Sequence, residues 1–241
     1  MSGSGEQPGR VVVVFGPKPG VGTSVIAANL AIALRALAPR VLLLETHHDL
    51  GSQATILGLA PERHLADARD ARLADALIPH GSGVDVLLRS PDAAGLTVPQ
   101  LEALLGQARQ LAPYTVVDSA PRLDATLRAL AAAADDLLMV TTPETTVLRH
   151  GERLLQRAAE WGALARLGVI VNRAESESAV EAAELDAVFG ARIVARLPSA
   201  GRLVVDAANA GRPFIVDDAD HPLSRAIQAL ARRLVERPPT L

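Results

Sequence analysis

The chain of 241 residues contains no cysteine. It therefore forms no disulfide bond, holds no thiolate metal site and has no cysteine nucleophile. This composition fits a reducing compartment. We expect a cytoplasmic protein that reaches a cell pole or a membrane only through partners.

Aromatic residues, net positive charge and long apolar runs are also scarce. Phe, Trp and Tyr make up 2% of the chain, and the formal net charge at pH 7 is −3. Few rings are available to stack on bases, and no global basic field attracts nucleic acid or anionic lipid. Arg35 and the pair Asp135 and Asp136 interrupt the longest apolar segments before they reach membrane-spanning length. We expect neither DNA nor a membrane as a direct partner.

The rest of the composition is typical of one folded α/β domain. Hydrophobic residues make up 49% of the chain, which is long enough to bury a large core. Residues 1–10 lack the apolar segment of a signal peptide and predict a flexible lead-in. Residues 11–238 predict a single doubly wound domain, with a mainly parallel sheet and helices on both faces.

A glycine-punctuated turn follows the first apolar run. Residues 11–15, Val-Val-Val-Val-Phe, have the pattern of a buried parallel strand, and a helix is predicted from Ser24. Gly20 and Gly22 allow backbone N–H groups to converge on an anion, and the helix dipole favours negative charge there. The pattern predicts a phosphate-binding loop, although glycine and proline also mark ordinary tight turns.

The single lysine of the chain, Lys18, lies in this loop, against twenty-three arginines elsewhere. A lysine ammonium reaches a phosphate as a point charge, which a planar guanidinium does not reproduce. Its placement favours the phosphate-binding interpretation over the plain turn.

The segment Lys18-Pro-Gly-Val-Gly-Thr-Ser24 resembles the deviant Walker A motif of the ParA/MinD family, K-G-G-x-G-K-[ST]. Lys18 matches the early signature lysine, which in that family reaches across a dimer to the partner's nucleotide. Thr23 replaces the second lysine, as in the CpaE/TadZ branch of pilus-assembly localisation proteins. Pro19 replaces a glycine and removes one N–H donor.

Polar residues at the ends of later apolar runs extend the resemblance. Residues 114–121 resemble the family's Walker B and switch segment, in which an aspartate, here Asp118, orients the magnesium shell. Capping of the following helix is the alternative role for Asp118. Asn172 and Arg173 match the family's adenine-recognising V-x-N-R, and Asn172 alternatively only starts a turn.

The family's D-x-D segment is altered to Glu45-Thr-His47. Glu45 keeps a carboxylate that can contact magnesium-bound water, whereas neutral His47 brings no negative charge in place of the water-positioning aspartate. A metal site formed by His47, His48 and Asp49 is a further alternative, but adjacent residues on a strand point to opposite faces, which favours a plain polar loop.

The resemblance implies ATP or ADP and Mg²⁺ as cofactors. For the nucleotide it implies Lys18, Gly20, Val21, Gly22, Thr23, Ser24, Asn172, Arg173 and Pro198. For the metal it implies Ser24, Asp118 through water, and Glu45. For catalysis it implies Lys18 and Asp118. Loss of the second lysine and of the D-x-D aspartate predicts slow or absent hydrolysis.

The function implied is that of a homodimeric localisation or assembly factor for a type IV (Tad-like) pilus or a secretion apparatus, with its proteins as partners. Such proteins usually carry a receiver-like domain before the ATPase domain; these 241 residues contain none, and removal or original absence of that domain are both open. One alternative is a nucleotide-free scaffold for protein partners. Another is a septum-site or chromosome-partition ATPase, the latter binding DNA through Arg225, Arg232 and Arg233.

Two peripheral helices are also predicted. The pattern of residues 65–80 predicts a surface helix. In the last helix, Leu223, Ile227, Leu230 and Leu234 share one face, which predicts packing on the sheet rather than membrane binding, because the face lacks Trp and Phe.

Overall fold

The apolar runs form the strands of one sheet in the computed structural model, which describes residues 8–46, 52–60, 72–89, 96–120, 122–176 and 180–237. Within these residues the strands are β1 (Arg10–Phe15), β2 (Val41–Glu45), β3 (Ile78–Pro79), β4 (Asp85–Leu87), β5 (Tyr114–Asp118), β6 (Asp136–Thr141), β7 (Leu167–Val171) and β8 (Ile193–Arg196).

The described helices connect and cover these strands. They are α1 (Thr23–Arg35), α2 (Gln53–Ile56), α3 (Leu73–Ala76), α4 (Val98–Leu111), α5 (Ala125–Ala133), α6 (Thr145–Glu160), α7 (Ala182–Phe189), α8 (Arg202–Asn209), α9 (Phe214–Asp217) and α10 (Pro222–Glu236). Short 3₁₀ turns, Leu164–Arg166 and Gly190–Arg192, precede β7 and β8. None of the described helices is long and apolar enough to cross a membrane.

The sheet has the strand order β3-β4-β2-β5-β1-β6-β7-β8. All neighbouring pairs are parallel except β3 and β4, which are antiparallel. β1 lies in the middle, between β5 and β6, so the loop that follows it emerges at the centre of the carboxyl edge. The predicted doubly wound, mainly parallel α/β fold is confirmed.

Alternating side chains of β1 enter the cores on the two faces of the sheet. Val11, Val13 and Phe15 pack with apolar residues of α4, α5, α6 and α7, whereas Val12 and Val14 pack with those of α1 and α10. A strand covered on both faces must be apolar throughout, which explains the unbroken run of valines.

The apolar face of α10 is buried against this second core. Leu223, Ile227, Leu230 and Leu234 are each at most 4% exposed. The prediction that this face packs on the sheet is confirmed.

The predicted surface helix over residues 65–80 is wrong in its C-terminal part. The described portion contains only the four residues of α3, followed by β3, which pairs with β4. Leu73 and Ala76 are apolar at helical spacing, and both are buried. Pro79, however, breaks the helical pattern and lies in the edge strand β3.

Candidate functional site

The glycine-rich loop connects the C-terminal end of β1 to the first turn of α1. Gly20 and Gly22 have φ angles of 87° and 97°, a backbone region that favours glycine, and Gly22 is the N-cap of α1. Among the described residues, no side chain caps this helix, and its first turn contains no acidic residue. The N–H groups of the first turn are thus available to an anion.

Thr23 occupies the first position of α1 with its hydroxyl over the start of the loop. A Cβ built on Gly16 would lie 2.7 Å from Thr23 Oγ1 and 2.6 Å from a methyl carbon of Val21. Gly16 therefore permits the loop to fold back on β1. The short Thr23 side chain offers a hydroxyl where a Walker A lysine would offer an ammonium.

Lys18 is held by a residue of the loop that follows β6. Its Nζ donates a hydrogen bond to Glu144 Oε2 at 3.0 Å, and the two side chains are 34% and 44% exposed. The hydrogen bond from Lys18 holds the pKa of Glu144 below its usual range. A half-exposed pair of this kind contributes at most about 1 kcal/mol, so Lys18 can exchange Glu144 for another anion at little cost.

Asp118 and Glu45 lie side by side at the ends of β5 and β2. The two residues are paired in register, and both are essentially buried. Burial raises the pKa of Glu45, and the neighbouring Asp118 charge raises it further, while backbone N–H groups, chiefly that of Gln53, oppose the shift. Two neighbouring buried carboxyl groups create a site that favours a cation.

Glu45 already accepts three backbone N–H groups. Its Oε1 accepts from Ser52 at 2.8 Å and from Gln53 at 2.9 Å, and its Oε2 accepts from Arg89 at 3.3 Å. This arrangement anchors the start of α2 to β2. A role of Glu45 in metal binding stays a prediction.

Asp118 does not cap the following helix, so that alternative is wrong. The N-cap of α5 is Asp124, whose side chain accepts from the N–H of Leu127. The Oδ2 atom of Asp118 instead accepts a hydrogen bond of 2.8 Å from Gln53 Nε2.

Asn172 and Arg173 close one side of the loop. Asn172 Nδ2 donates to the carbonyl of Val21 at 2.8 Å, and Arg173 donates to the carbonyl of Gly20 at 3.0 Å. Arg173 adopts a φ of 53°, in the left-handed region, and its N–H donates to Asn172 Oδ1. Asn172 thus does more than start a turn, and its amide retains one further N–H and one further lone pair for a ligand.

An open cavity of about 810 Å³ lies over the loop at the carboxyl edge of the sheet. Residues of the loop, the first turn of α1 and the ends of β7 and β8 line it, including Lys18, Gly20, Gly22, Thr23, Ser24, Asn172, Arg173 and Pro198. Apolar side chains also line it, among them Ile56, Val204, Val205 and Leu223. Eight of the residues predicted for the nucleotide thus share one cavity, whereas Val21 is buried and does not line it.

His47, His48 and Asp49 lie outside the described residues. In the part of the chain that the structure describes, no group of three or more His, Asp or Glu side chains could hold a metal ion.

No family model matches the chain. The septum site-determining protein MinD of Synechocystis is 27% identical over 241 aligned residues, which span 93% of this chain and 89% of that protein. The antiactivator FleN of Pseudomonas aeruginosa is 31% identical over 180 residues, or 70% of this chain and 63% of FleN. The crystal structure of a ParA family ATPase from Chlorobium tepidum superposes with a TM-score of 0.86, at 25% identity over 95% of this chain and 99% of that one.

The chain is therefore similar, in sequence and in fold, to P-loop ATPases of the ParA/MinD family.

The fold agrees with that of a more distant ParA/MinD-type structure. MinD of Pyrococcus horikoshii, solved in complex with Mg-ADP, superposes with a TM-score of 0.82 at 20% identity over 94% of this chain and 96% of that one.

The residues near Asp118 fit the magnesium ion that the ParA/MinD family implies. Mg²⁺ prefers oxygen ligands and usually combines one or two carboxylates with waters and phosphate oxygens. Ser24 supplies a hydroxyl on the first turn of α1, and the buried Asp118 supplies a carboxylate. Among the described residues, the buried Oε1 of Gln53 has no hydrogen-bond partner, so an oxygen acceptor is also present beside Asp118.

Two residues of this site were missed by sequence reasoning. The contact of Glu144 with Lys18 had only the Thr-Thr-Pro-Glu pattern at residues 141–144 as a signal, which suggested no partner. Gln53 had no signal, because a glutamine in a predicted polar loop is ordinary.

Replacing Gly22 with alanine should weaken nucleotide binding by at least tenfold. A Cβ at this position would lie 2.5 Å from Asn172 Nδ2 and would also strain a φ of 97°, at a cost of about 1–2 kcal/mol. Gly162→Ala is the matched control, because Gly162 has a φ of 67° with open space around its Cβ, remote from the loop. Titration with a fluorescent ATP analogue should show loss only for Gly22→Ala; equal affinities would contradict the role of the loop.

Proposed function

We propose that this chain binds ATP and ADP with Mg²⁺ in the cavity over the glycine-rich loop. The observation that carries the proposal is the convergence of eight predicted residues on that cavity, whose volume of about 810 Å³ lies within the usual range for ligand sites, roughly 300–1,000 Å³. The glycine-rich loop suits phosphates, and the apolar side chains of the lining suit a base.

The residues of the site have distinct roles in this proposal. The N–H groups at Gly20, Gly22 and the start of α1 bind phosphate oxygens, supported by the helix dipole. Ser24 and Asp118 hold the magnesium ion, Asp118 through water. Asn172, Arg173 and Pro198 surround the base.

We further propose that nucleotide binding drives homodimerisation through Lys18. The weak pair with Glu144 leaves Lys18 free to move to a phosphate of the partner's nucleotide. Glu144 keeps the ammonium at the mouth of the cavity until the phosphate arrives.

Hydrolysis should be slow or absent. Thr23 leaves the transferring phosphate without the second lysine, and Pro19 removes one N–H donor from the loop. The substitution at His47 adds to this expectation, since it removes the water-positioning carboxylate.

For the cellular role, we propose nucleotide-dependent positioning of a large assembly. The name of one relative, the septum site-determining protein MinD, favours a septum-site type of role over the pilus role that the sequence suggested. Assignment to the CpaE/TadZ branch, with pilus or secretion proteins as partners, stays a prediction that rests on Thr23.

Replacing Lys18 with alanine should abolish ATP-dependent dimerisation and weaken ATP binding about tenfold. The stability of the monomer should change little, because the Lys18–Glu144 pair is half exposed. Multi-angle light scattering with and without Mg-ATP measures the first effect, and calorimetry measures the second.

Lys18→Arg is the matched variant for this experiment. It keeps the charge but not the compact ammonium, and we expect it to restore the Glu144 pair without restoring dimerisation. Unchanged ATP-dependent dimerisation in Lys18→Ala would contradict the proposed role of Lys18.

A further inference from the structure

Gln53 connects the segment after β2 to Asp118 and to the first turn of α1. It is the first residue of α2 and is fully buried. Its Nε2 donates to Asp118 Oδ2 at 2.8 Å and to the backbone carbonyl of Ser24 at 3.0 Å. One side-chain amide therefore joins α2, the end of β5 and the first turn of α1.

The other atom of this amide is left unsatisfied. Within the described part of the chain, the buried Oε1 of Gln53 has no hydrogen-bond partner. Exchanging the two amide atoms would not remove the problem, because Ser24 O and Asp118 Oδ2 are both acceptors and require the N–H₂ group to face them.

Stability alone does not explain a glutamine at this position. An unpaired buried carbonyl costs free energy, and ordering a long polar side chain costs conformational entropy. The two hydrogen bonds that the N–H₂ group donates offset part of these costs, but they do not account for the buried oxygen. The buried acceptor points instead to a donor that arrives with a ligand.

The distance of Gln53 Oε1 from Asp118 indicates which kind of donor could reach it. The two terminal atoms of one amide are about 2.2 Å apart, so Gln53 Oε1 lies within about 5 Å of Asp118 Oδ2. Water molecules of a hydrated Mg²⁺ held by Asp118 would be strong hydrogen-bond donors at this distance.

We propose that Gln53 is a positioning residue for the magnesium–nucleotide site: its N–H₂ group fixes the Asp118 carboxylate against α1, and its Oε1 accepts from a metal-bound water. The inference rests on the proposed nucleotide binding and adds to it a link between the metal and α2. Magnesium binding completes the hydrogen bonding of Gln53 and thereby stabilises residues 52–56 on the site.

The experiment compares ATP affinity with Mg²⁺ and with EDTA in the wild type, Gln53→Leu and Gln53→Glu. The ratio of the two affinities measures the contribution of the metal. We expect this ratio to fall about tenfold in Gln53→Leu, the size usual for loss of a residue that orients a metal ligand. It should rise in Gln53→Glu, because a third carboxylate repels free phosphates and attracts the cation.

Gln107→Leu is the matched control. The side chain of Gln107 makes a hydrogen bond too, accepting from the backbone N–H of Leu73 at 2.8 Å, but it lies on α4, away from the cavity. Its magnesium ratio should equal that of the wild type. Melting temperatures confirm folding, and that of Gln53→Leu should be a few degrees lower, because Asp118 and the Ser24 carbonyl each lose a hydrogen-bond donor.

The outcomes separate this inference from the proposed function. If the wild type binds ATP and all variants share one magnesium ratio, Gln53 is a packing residue and the inference is overturned. If the wild type binds no nucleotide with or without Mg²⁺, the proposed function fails and the inference fails with it.

Discussion

Replacing Thr23 with lysine should raise ATP turnover by about two powers of ten. The change puts an ammonium at the first position of α1, where the family's second lysine acts, while Lys18 stays in place. One such contact to a transferring phosphate is typically worth roughly 3 kcal/mol of barrier. Phosphate release under saturating Mg-ATP measures the effect.

Two further substitutions at Thr23 separate charge from bulk. Thr23→Met has a long side chain without charge, and Thr23→Arg has charge in a planar group that does not reproduce the point contact of lysine. Both should turn over no faster than the wild type. If Thr23→Lys were also no faster and bound ATP no more tightly, the loss of this lysine would not explain slow hydrolysis.

Replacing Arg10 with methionine should lower the free energy of unfolding by about 3–5 kcal/mol, the usual cost of leaving a buried charge without its partner. Arg10 donates to Asp136 Oδ2 at 2.7 Å and to the carbonyls of Leu234 and Arg237 at 2.8 and 2.7 Å. The Asp136 side chain is 2% exposed, and Arg237, at 3.6 Å, is its other cation. Denaturant unfolding at pH 7 measures the loss.

The loss should shrink as the pH falls. Burial raises the pKa of Asp136, and Arg10 opposes that shift, so removal of Arg10 raises the pKa further. A carboxyl group with a raised folded pKa stabilises the fold below its unfolded pKa, and this contribution is lost as the pH rises through the folded value. The deficit of Arg10→Met should therefore be largest near neutral pH and smaller near pH 4.

The double variant Arg10→Met with Asp136→Leu is the control for this ion pair. It removes both charges together and should recover most of the lost stability. A loss below about 1 kcal/mol in Arg10→Met alone would show that the pair contributes no more than an exposed one.

The fold was predictable because its signals are local and repeated. The valines of β1 and the apolar runs that became β2, β5, β6 and β7 are continuous, and each is followed by a turn or a polar residue. A parallel strand that is buried on both faces needs apolar side chains throughout, so it is visible in the sequence as a continuous apolar run. The end of the region 65–80 was not predictable in the same way, because β3 exists only through its pairing with β4.

The candidate site was predictable only where chemistry and position coincide. Lys18 was found because it is the single lysine and lies in a glycine-rich turn, and Asp118 because it ends an apolar strand. The residues that hold them in place come from elsewhere in the chain. Glu144, in the loop after β6, contacts Lys18, and Gln53, on α2, contacts Asp118. No local pattern encodes such distant contacts, since the topology of the sheet brings them together.

The anchoring of Glu45 shows the same limit. Its position at the end of β2 suggested magnesium, and the structure places it beside Asp118. Its oxygens, however, accept N–H groups from Ser52, Gln53 and Arg89, which a sequence pattern does not reveal.

The most direct test of the proposed nucleotide switch is titration calorimetry of the purified chain with ATP and with ADP in magnesium, with light scattering on the same samples. We predict that ATP binds and shifts the chain from monomer to dimer, and that ADP binds without dimerisation. The absence of binding at millimolar ATP would contradict the proposal and would favour a scaffold that retains the fold for protein partners.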